Sequence, residues 1–101
     1  MSISSKWSAD GSTLTISIEG RFDFKSHNEF RRAYEEGGRN DTEFEVDMQG
    51  TEYMDSSALG MLLMLREYAG GDRSRVRIVH ANGEIKNILN ISNFHKLFDI
   101  S

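Results

Sequence analysis

Tyr53-Met54-Asp55-Ser56-Ser57-Ala58-Leu59-Gly60-Met61-Leu62-Leu63 is the stretch on which the reading of this chain turns. Asp55 is a helix-capping residue type, because its carboxylate can accept from the unpaired N–H groups of a first turn. Ser56 and Ser57 suit that turn, and the residues that follow recur at helical spacing. A helix is predicted over 56–69, with Leu59, Leu62, Leu63 and Arg66 along one stripe and Ala58, Met61, Leu65 and Ala69 along its neighbour. Such a helix is apolar over more than half its circumference, so most of it must be buried. Its nearly apolar part, 58–65, falls far short of the ~20 residues that span a bilayer, and no membrane partner is expected. Gly70-Gly71 ends it.

Upstream, Ile3, Ser5 and Trp7 share one face of a short first strand, and Leu14, Ile16 and Ile18 alternate with Thr13, Thr15, Ser17 and Glu19 in a second. Asp10-Gly11 between them signals a hairpin, since glycine supplies the positive φ such turns require. Gly20-Arg21-Phe22-Asp23 is expected to leave the sheet. Ser26 and Glu29 read as a capping box ahead of a helix that carries Phe30, Ala33 and Tyr34 and stops at Gly37-Gly38. Phe44, Val46 and Met48 then alternate with Glu43, Glu45 and Asp47, a strand whose acidic face is expected to look at water. Downstream, Val76, Ile78 and His80 mark a strand, and Asn82 caps a helix containing Ile85, Ile88 and Leu89. Asn93 closes that helix in the left-handed conformation before the apolar tail of Phe94, Leu97 and Phe98. The order β-β-α-β-α-β-α calls for crossovers and partly parallel pairing. The expected fold is α/β, one domain over residues 1–101, with a small mixed sheet of about four or five strands and helices packed mainly on one face.

Composition excludes whole classes of function. The absence of cysteine removes disulfide scaffolds, thiolate zinc sites, iron-sulfur clusters and cysteine nucleophiles. Residues 1–7 contain no apolar stretch of the kind that directs secretion, so a cytoplasmic location is expected, and the sequons at Asn40-Asp41-Thr42 and Asn90-Ile91-Ser92 are chance. The net charge of −4 is uneven: residues 1–55 carry −6 and residues 56–101 carry +2. Nucleic-acid binding needs a basic stripe, and Arg73, Arg75 and Arg77 make only a small cluster, so no nucleic-acid partner is expected. Phosphate-loop, dinucleotide and zincin motifs are missing, so the chain is read as no enzyme, with no cofactor, metal or catalytic residue. The opposing reading, a small hydrolase with Ser56 as nucleophile, needs a base that only His80 or His95 could supply. His27 is likewise isolated in sequence.

Two readings of 55–60 stand side by side. In the first, Asp55 caps, the serines fill the opening turn and the remainder is core. In the second, two hydroxyls beside unpaired N–H groups form a place that can accept and hold a phosphate. Gly60 leans toward the second, because glycine inside a helix costs about 1 kcal/mol against alanine and suggests close approach by another backbone or a partner. Met61 and Met64 add adaptable apolar surface, suited to an interface and equally to a core.

Asp55-Ser56-Ser57-Ala58-Leu59-Gly60 resembles the Asp-Ser-(Ser/Thr)-(Gly/Ala)-Leu-Gly signature of STAS-domain anti-sigma factor antagonists. Gly20-Arg21-Phe22-Asp23 is similar to that family's Gly-x-(hydrophobic)-Asp segment, and 91–98 resembles its closing Ser/Thr-Gly-Leu-x-(Lys/Arg)-Leu-Phe element. Ala58 stands where glycine is commoner, and Asn93 where glycine is usual. The resemblance implies a bacterial phospho-switched module whose unmodified form sequesters an anti-sigma factor and frees its sigma factor. It implies a serine kinase that modifies Ser56, with Ser57 as the nearby alternative, and a PP2C-type phosphatase that resets it. Asp23, Asp55, Ser56, Ser57, Ala58, Gly60, Met61 and Met64 would form the partner-binding set. The alternative client is another signalling enzyme, such as a kinase or diguanylate cyclase.

Overall fold

The computed structural model describes residues 2–37 and 42–101. Strands β1 (Ser2–Trp7) and β2 (Thr13–Phe22) form the expected antiparallel hairpin, with Gly11 at φ 74 in its turn. A 3-10 turn (Phe24–Ser26) leads into α1 (His27–Gly37), which ends at the first of the two glycines assigned to stop it, Gly38 lying outside the described residues. Strands β3 (Glu43–Asp47) and β4 (Thr51–Met54) precede α2 (Ser56–Tyr68). Strand β5 (Val76–Val79), α3 (Gly83–Ile91) and the short β6 (Asp99–Ile100) complete the chain. The sheet is six-stranded in the order β1-β2-β3-β5-β6, with β4 paired to β2 off that path. Strands β2, β3, β5 and β6 pair in parallel, as the helical crossovers require.

The small mixed sheet is as expected, with six strands where about four or five were expected, because β4 and the two-residue β6 carry no strand signal of their own in the sequence. The departure that accounts for β4 is that the segment from Gly20 does not leave the sheet. Strand β2 continues to Phe22, and where it parts from β3 it takes β4 as a new parallel partner. The register shifts between Gly20 and Arg21, and Gly20 sits at φ 84, a conformation that side chains rarely adopt. Thr51, fully buried, fixes the new pairing by donating its hydroxyl to the Ile18 carbonyl at 2.8 Å.

Alternation along the strands separates two faces. Leu14, Ile16 and Ile18 of β2, Phe44 and Val46 of β3 and Ile78 of β5 are buried in one core with Phe30 of α1, Leu62 and Leu65 of α2, and Ile85 and Leu89 of α3. Among the described residues no helix is long and apolar enough to cross a membrane. The other face is polar, and its carboxylates are not simply turned to water. Arg75 meets Glu43 and Arg77 meets Glu45, each at 2.9 Å, while the Thr15 hydroxyl donates to Glu45 at 3.2 Å. The parallel register of β3 and β5 sets acidic and basic residues opposite one another, which neutralises part of the acidic first half and occupies two arginines of the basic cluster.

Candidate functional site

The site lies where β2, β4 and the start of α2 converge. Asp55 follows β4 in extended conformation (φ −102, ψ −179), and its N–H donates to the Phe22 carbonyl at 3.3 Å. Its Oδ1 accepts from the Ala58 N–H at 3.0 Å and from the Ser57 hydroxyl at 2.9 Å, so it is the N-cap the sequence called for. Its Oδ2 accepts from the Phe24 N–H at 3.3 Å, tying the turn before α1 to the start of α2. Partial burial works against ionisation of Asp55, but the hydrogen bonds from Ser57, Ala58 and Phe24 outweigh it and hold the carboxyl below the usual carboxylate range.

Asp23 reaches the same junction from the other side. It is buried, caps the 3-10 turn by accepting from the Lys25 N–H at 3.1 Å, and receives Arg21 Nε at 3.4 Å. The expected box was Ser26 with Glu29; the reciprocal box found is one turn earlier, at Asp23 and Ser26. Asp23 caps the 3-10 turn that leads into α1, where β2 stays extended up to Phe22, and the Ser26 hydroxyl accepts from the Asp23 N–H at 3.3 Å to close the reciprocal box.

The two serines differ sharply. Ser57 is half-buried and its hydroxyl is engaged by Asp55. Ser56 is exposed, and its hydroxyl has no hydrogen-bond partner among the described residues. A free hydroxyl on the first residue of a helix sits where the N-terminal N–H groups and the helix dipole tolerate an added anion. No histidine is bonded to it: His80 Nδ1 lies 3.0 Å from Asp47, at the ends of β5 and β3. Among the described residues no group of His, Cys, Asp or Glu is arranged to hold a metal ion.

The other members of the predicted set divide. Gly60 and Met64 are exposed, whereas Ala58 and Met61 are buried in the core and cannot present a surface to a partner. The i, i+3, i+4 spacing identified the helix but left open which stripe faces the sheet. Among the described residues nothing beyond the backbone of its own helix turn and its chain neighbours lies within 4 Å of where a Gly60 Cβ would sit, so no other described backbone approaches it. Sequence reasoning passed over three residues beside the site. Phe24 is 66% exposed, Tyr53 is 43% exposed, and the Arg21 guanidinium lies 4.1 Å from the Tyr53 ring centroid. Arg21 and Tyr53 are register partners, a relation visible only once β4 is a strand.

A family model described as "Mlab, STAS domain" matches residues 5–99. The chain belongs to the STAS-domain family. A STAS-domain containing protein of Pseudomonas aeruginosa (strain UCBPP-PA14) is 48% identical over 101 residues, which is the whole of both chains. Solved structures share the fold of this STAS domain at low identity. An anti-sigma factor antagonist from Mycobacterium paratuberculosis superposes with TM-score 0.75 at 14% identity, covering 98% of this chain and 85% of that one. The Bacillus protein SpoIIAA, an anti-sigma factor antagonist, covers 99% of this chain at 13% identity in both of its forms. Its unphosphorylated form gives TM-score 0.72 over 87% of that chain, and its phosphorylated form 0.68 over 91%.

Proposed function

We propose that this STAS domain is an anti-sigma factor antagonist, a non-enzymatic cytoplasmic protein that binds an anti-sigma factor when Ser56 is unmodified and releases it when a serine kinase phosphorylates Ser56. A PP2C-type phosphatase restores the binding form. The observation that carries the reading is the contrast between an exposed, unbonded Ser56 hydroxyl and a Ser57 hydroxyl held on Asp55. The shared fold with SpoIIAA, described in phosphorylated and unphosphorylated forms, supports it. A phosphate adds about −1.5 to −2 charge at neutral pH, next to the ionised Asp55. The helix start accommodates that charge, so the fold survives, but a partner packed there meets a dianion without compensation. A coupling of only about 1.4 kcal/mol lowers affinity tenfold.

The test is a kinase and binding series on the full chain. Ser56→Ala should refuse phosphate and bind the anti-sigma factor constitutively, while Ser56→Glu should stay folded and lose the partner. Kinase labelling of Ser56→Ala at the wild-type level would show the site assignment to be wrong.

A further inference from the structure

Ser56, Gly60, Leu63 and Glu67 recur at spacings of four, three and four, so they lie in one line along the solvent side of α2. Leu63 is 38% and Met64 44% exposed. Beside that line runs a groove of about 400 Å³ between α1 and α2. Arg31, Tyr34 and Glu35 of α1 and Leu63, Met64 and Tyr68 of α2 line it. Its floor is firm, because Tyr34 and Tyr68 pack with ring centroids 5.0 Å apart and Tyr34 continues through Phe30 to Phe22. Arg31 and Glu35 neutralise each other at 3.0 Å, which leaves Glu67 on the rim with no ion pair among the described residues. Gly60 completes the pattern: it has an ordinary helical backbone, an exposed position and, among the described residues, no neighbour on another element to explain it.

We propose that this face receives an amphipathic helix of the anti-sigma factor. The helix crosses α2 at Gly60, sets apolar side chains into the α1–α2 groove and carries a lysine or arginine facing Glu67. A missing Cβ at the crossing point lets two helix backbones approach closely, and the flanking Leu63 and Met64 supply the apolar contact that backbone proximity alone lacks. The unpaired Glu67 sets the sign of the partner's charge. Met64 lies eight residues along the axis from Ser56, about 12 Å at 1.5 Å per residue. A helix of three turns therefore spans both, and phosphate at one end of its footprint would dislodge the whole. This inference rests on the function proposed above.

The experiment measures the affinity of the full chain for anti-sigma factors of the source cell, purified one at a time, by titration calorimetry. It uses wild type, Ser56→Glu, Gly60→Gln, Met64→Lys, Glu67→Lys and, as control, Ile91→Asp on α3. Glutamine is a good helix former, so Gly60→Gln should fold at least as well as wild type while binding about tenfold or more weakly through the lost approach. Met64→Lys and Glu67→Lys should weaken binding, the latter less at high salt, and Ile91→Asp should not. If Ser56→Glu abolishes binding while Gly60→Gln and Met64→Lys bind like wild type, the docking face is wrong and the Ser56 switch stands. If no anti-sigma factor binds wild type, both readings fall. Self-association of wild type abolished by Gly60→Gln would make a second copy the occupant and overturn the proposal.

Discussion

Gly60→Ala should stabilise this protein, and the size of the effect follows from the local structure. Gly60 lies within α2, has no positive φ, and offers open space to a Cβ, with nothing within 4 Å. The added methyl therefore meets no steric opposition, and the folded state loses nothing. Glycine in a helix interior is about 0.8–1.0 kcal/mol less favourable than alanine, largely because the unfolded chain loses less freedom when alanine is there. About 1 kcal/mol raises the melting temperature of a domain this size by about 4–8 °C. With an m-value of about 2 kcal/mol/M it moves the urea midpoint up by about 0.5 M. Gly11→Ala is the matched control. Its Cβ also meets nothing within 4 Å, but its φ is +74, and an L side chain in that region costs about 1–2 kcal/mol. The two variants should shift the urea midpoint in opposite directions although the space around both glycines is equally empty. A Gly60→Ala midpoint at or below wild type would refute the reasoning, because it would mean that this glycine serves the fold of its own chain.

The remaining predictions concern the cap, the core and acid. Asp55→Ala removes the acceptor for Ala58 N–H, Ser57 Oγ and Phe24 N–H and should cost about 0.5–2 kcal/mol by urea unfolding, with Asp55→Asn recovering most of it. Phe22→Ala should cost about 3–5 kcal/mol, since the ring is fully buried and packs tilted against Phe30 with centroids 5.1 Å apart. Asp10 should titrate far below an ordinary aspartate by carbon-detected NMR. The Ser8 and Ser12 hydroxyls and the Ser12 N–H hold its carboxyl down from 3.8 to about 2. A depressed folded-state pKa stabilises above the unfolded value and is lost as pH falls through the folded one, so the hairpin turn should loosen between pH 3.8 and about 2. Asp10→Asn should flatten that limb of the stability profile.

Several features were legible because they depend on neighbours in sequence. Asp55 and Asn82 cap α2 and α3 as read, accepting from Ala58 N–H and Ile85 N–H, since capping needs only a short acceptor and the next turn. Asn93 adopts φ 62, as its residue type allows. Strand β4 was not legible: in Thr51–Met54 the buried residues are the first and last, so a four-residue strand carries no period-two signal. Strand β6 has two residues and owes its conformation to β5. A capping box formed at Asp23 and Ser26, ahead of the one read at Ser26 and Glu29, because the long-range pairing of β2 with β4 kept the chain extended three residues further than local signals implied.

The sequence by itself determined the hairpin, the three helices with the caps of α2 and α3, the mixed α/β class and the hexapeptide at 55–60 around which the candidate site is built. Those follow from backbone chemistry acting over a few residues. Tertiary structure alone decided which serine is free, because Ser57 is held by the Asp55 carboxylate while Ser56 faces open solvent. It also sent Ala58 and Met61 to the core and left Gly60 and Met64 outside, since periodicity defines stripes and only packing against the sheet chooses among them. Even the uneven charge changed meaning in space. The parallel register of β3 and β5 laid Arg75 and Arg77 against Glu43 and Glu45 and offset on the sheet part of an asymmetry that is plain along the chain.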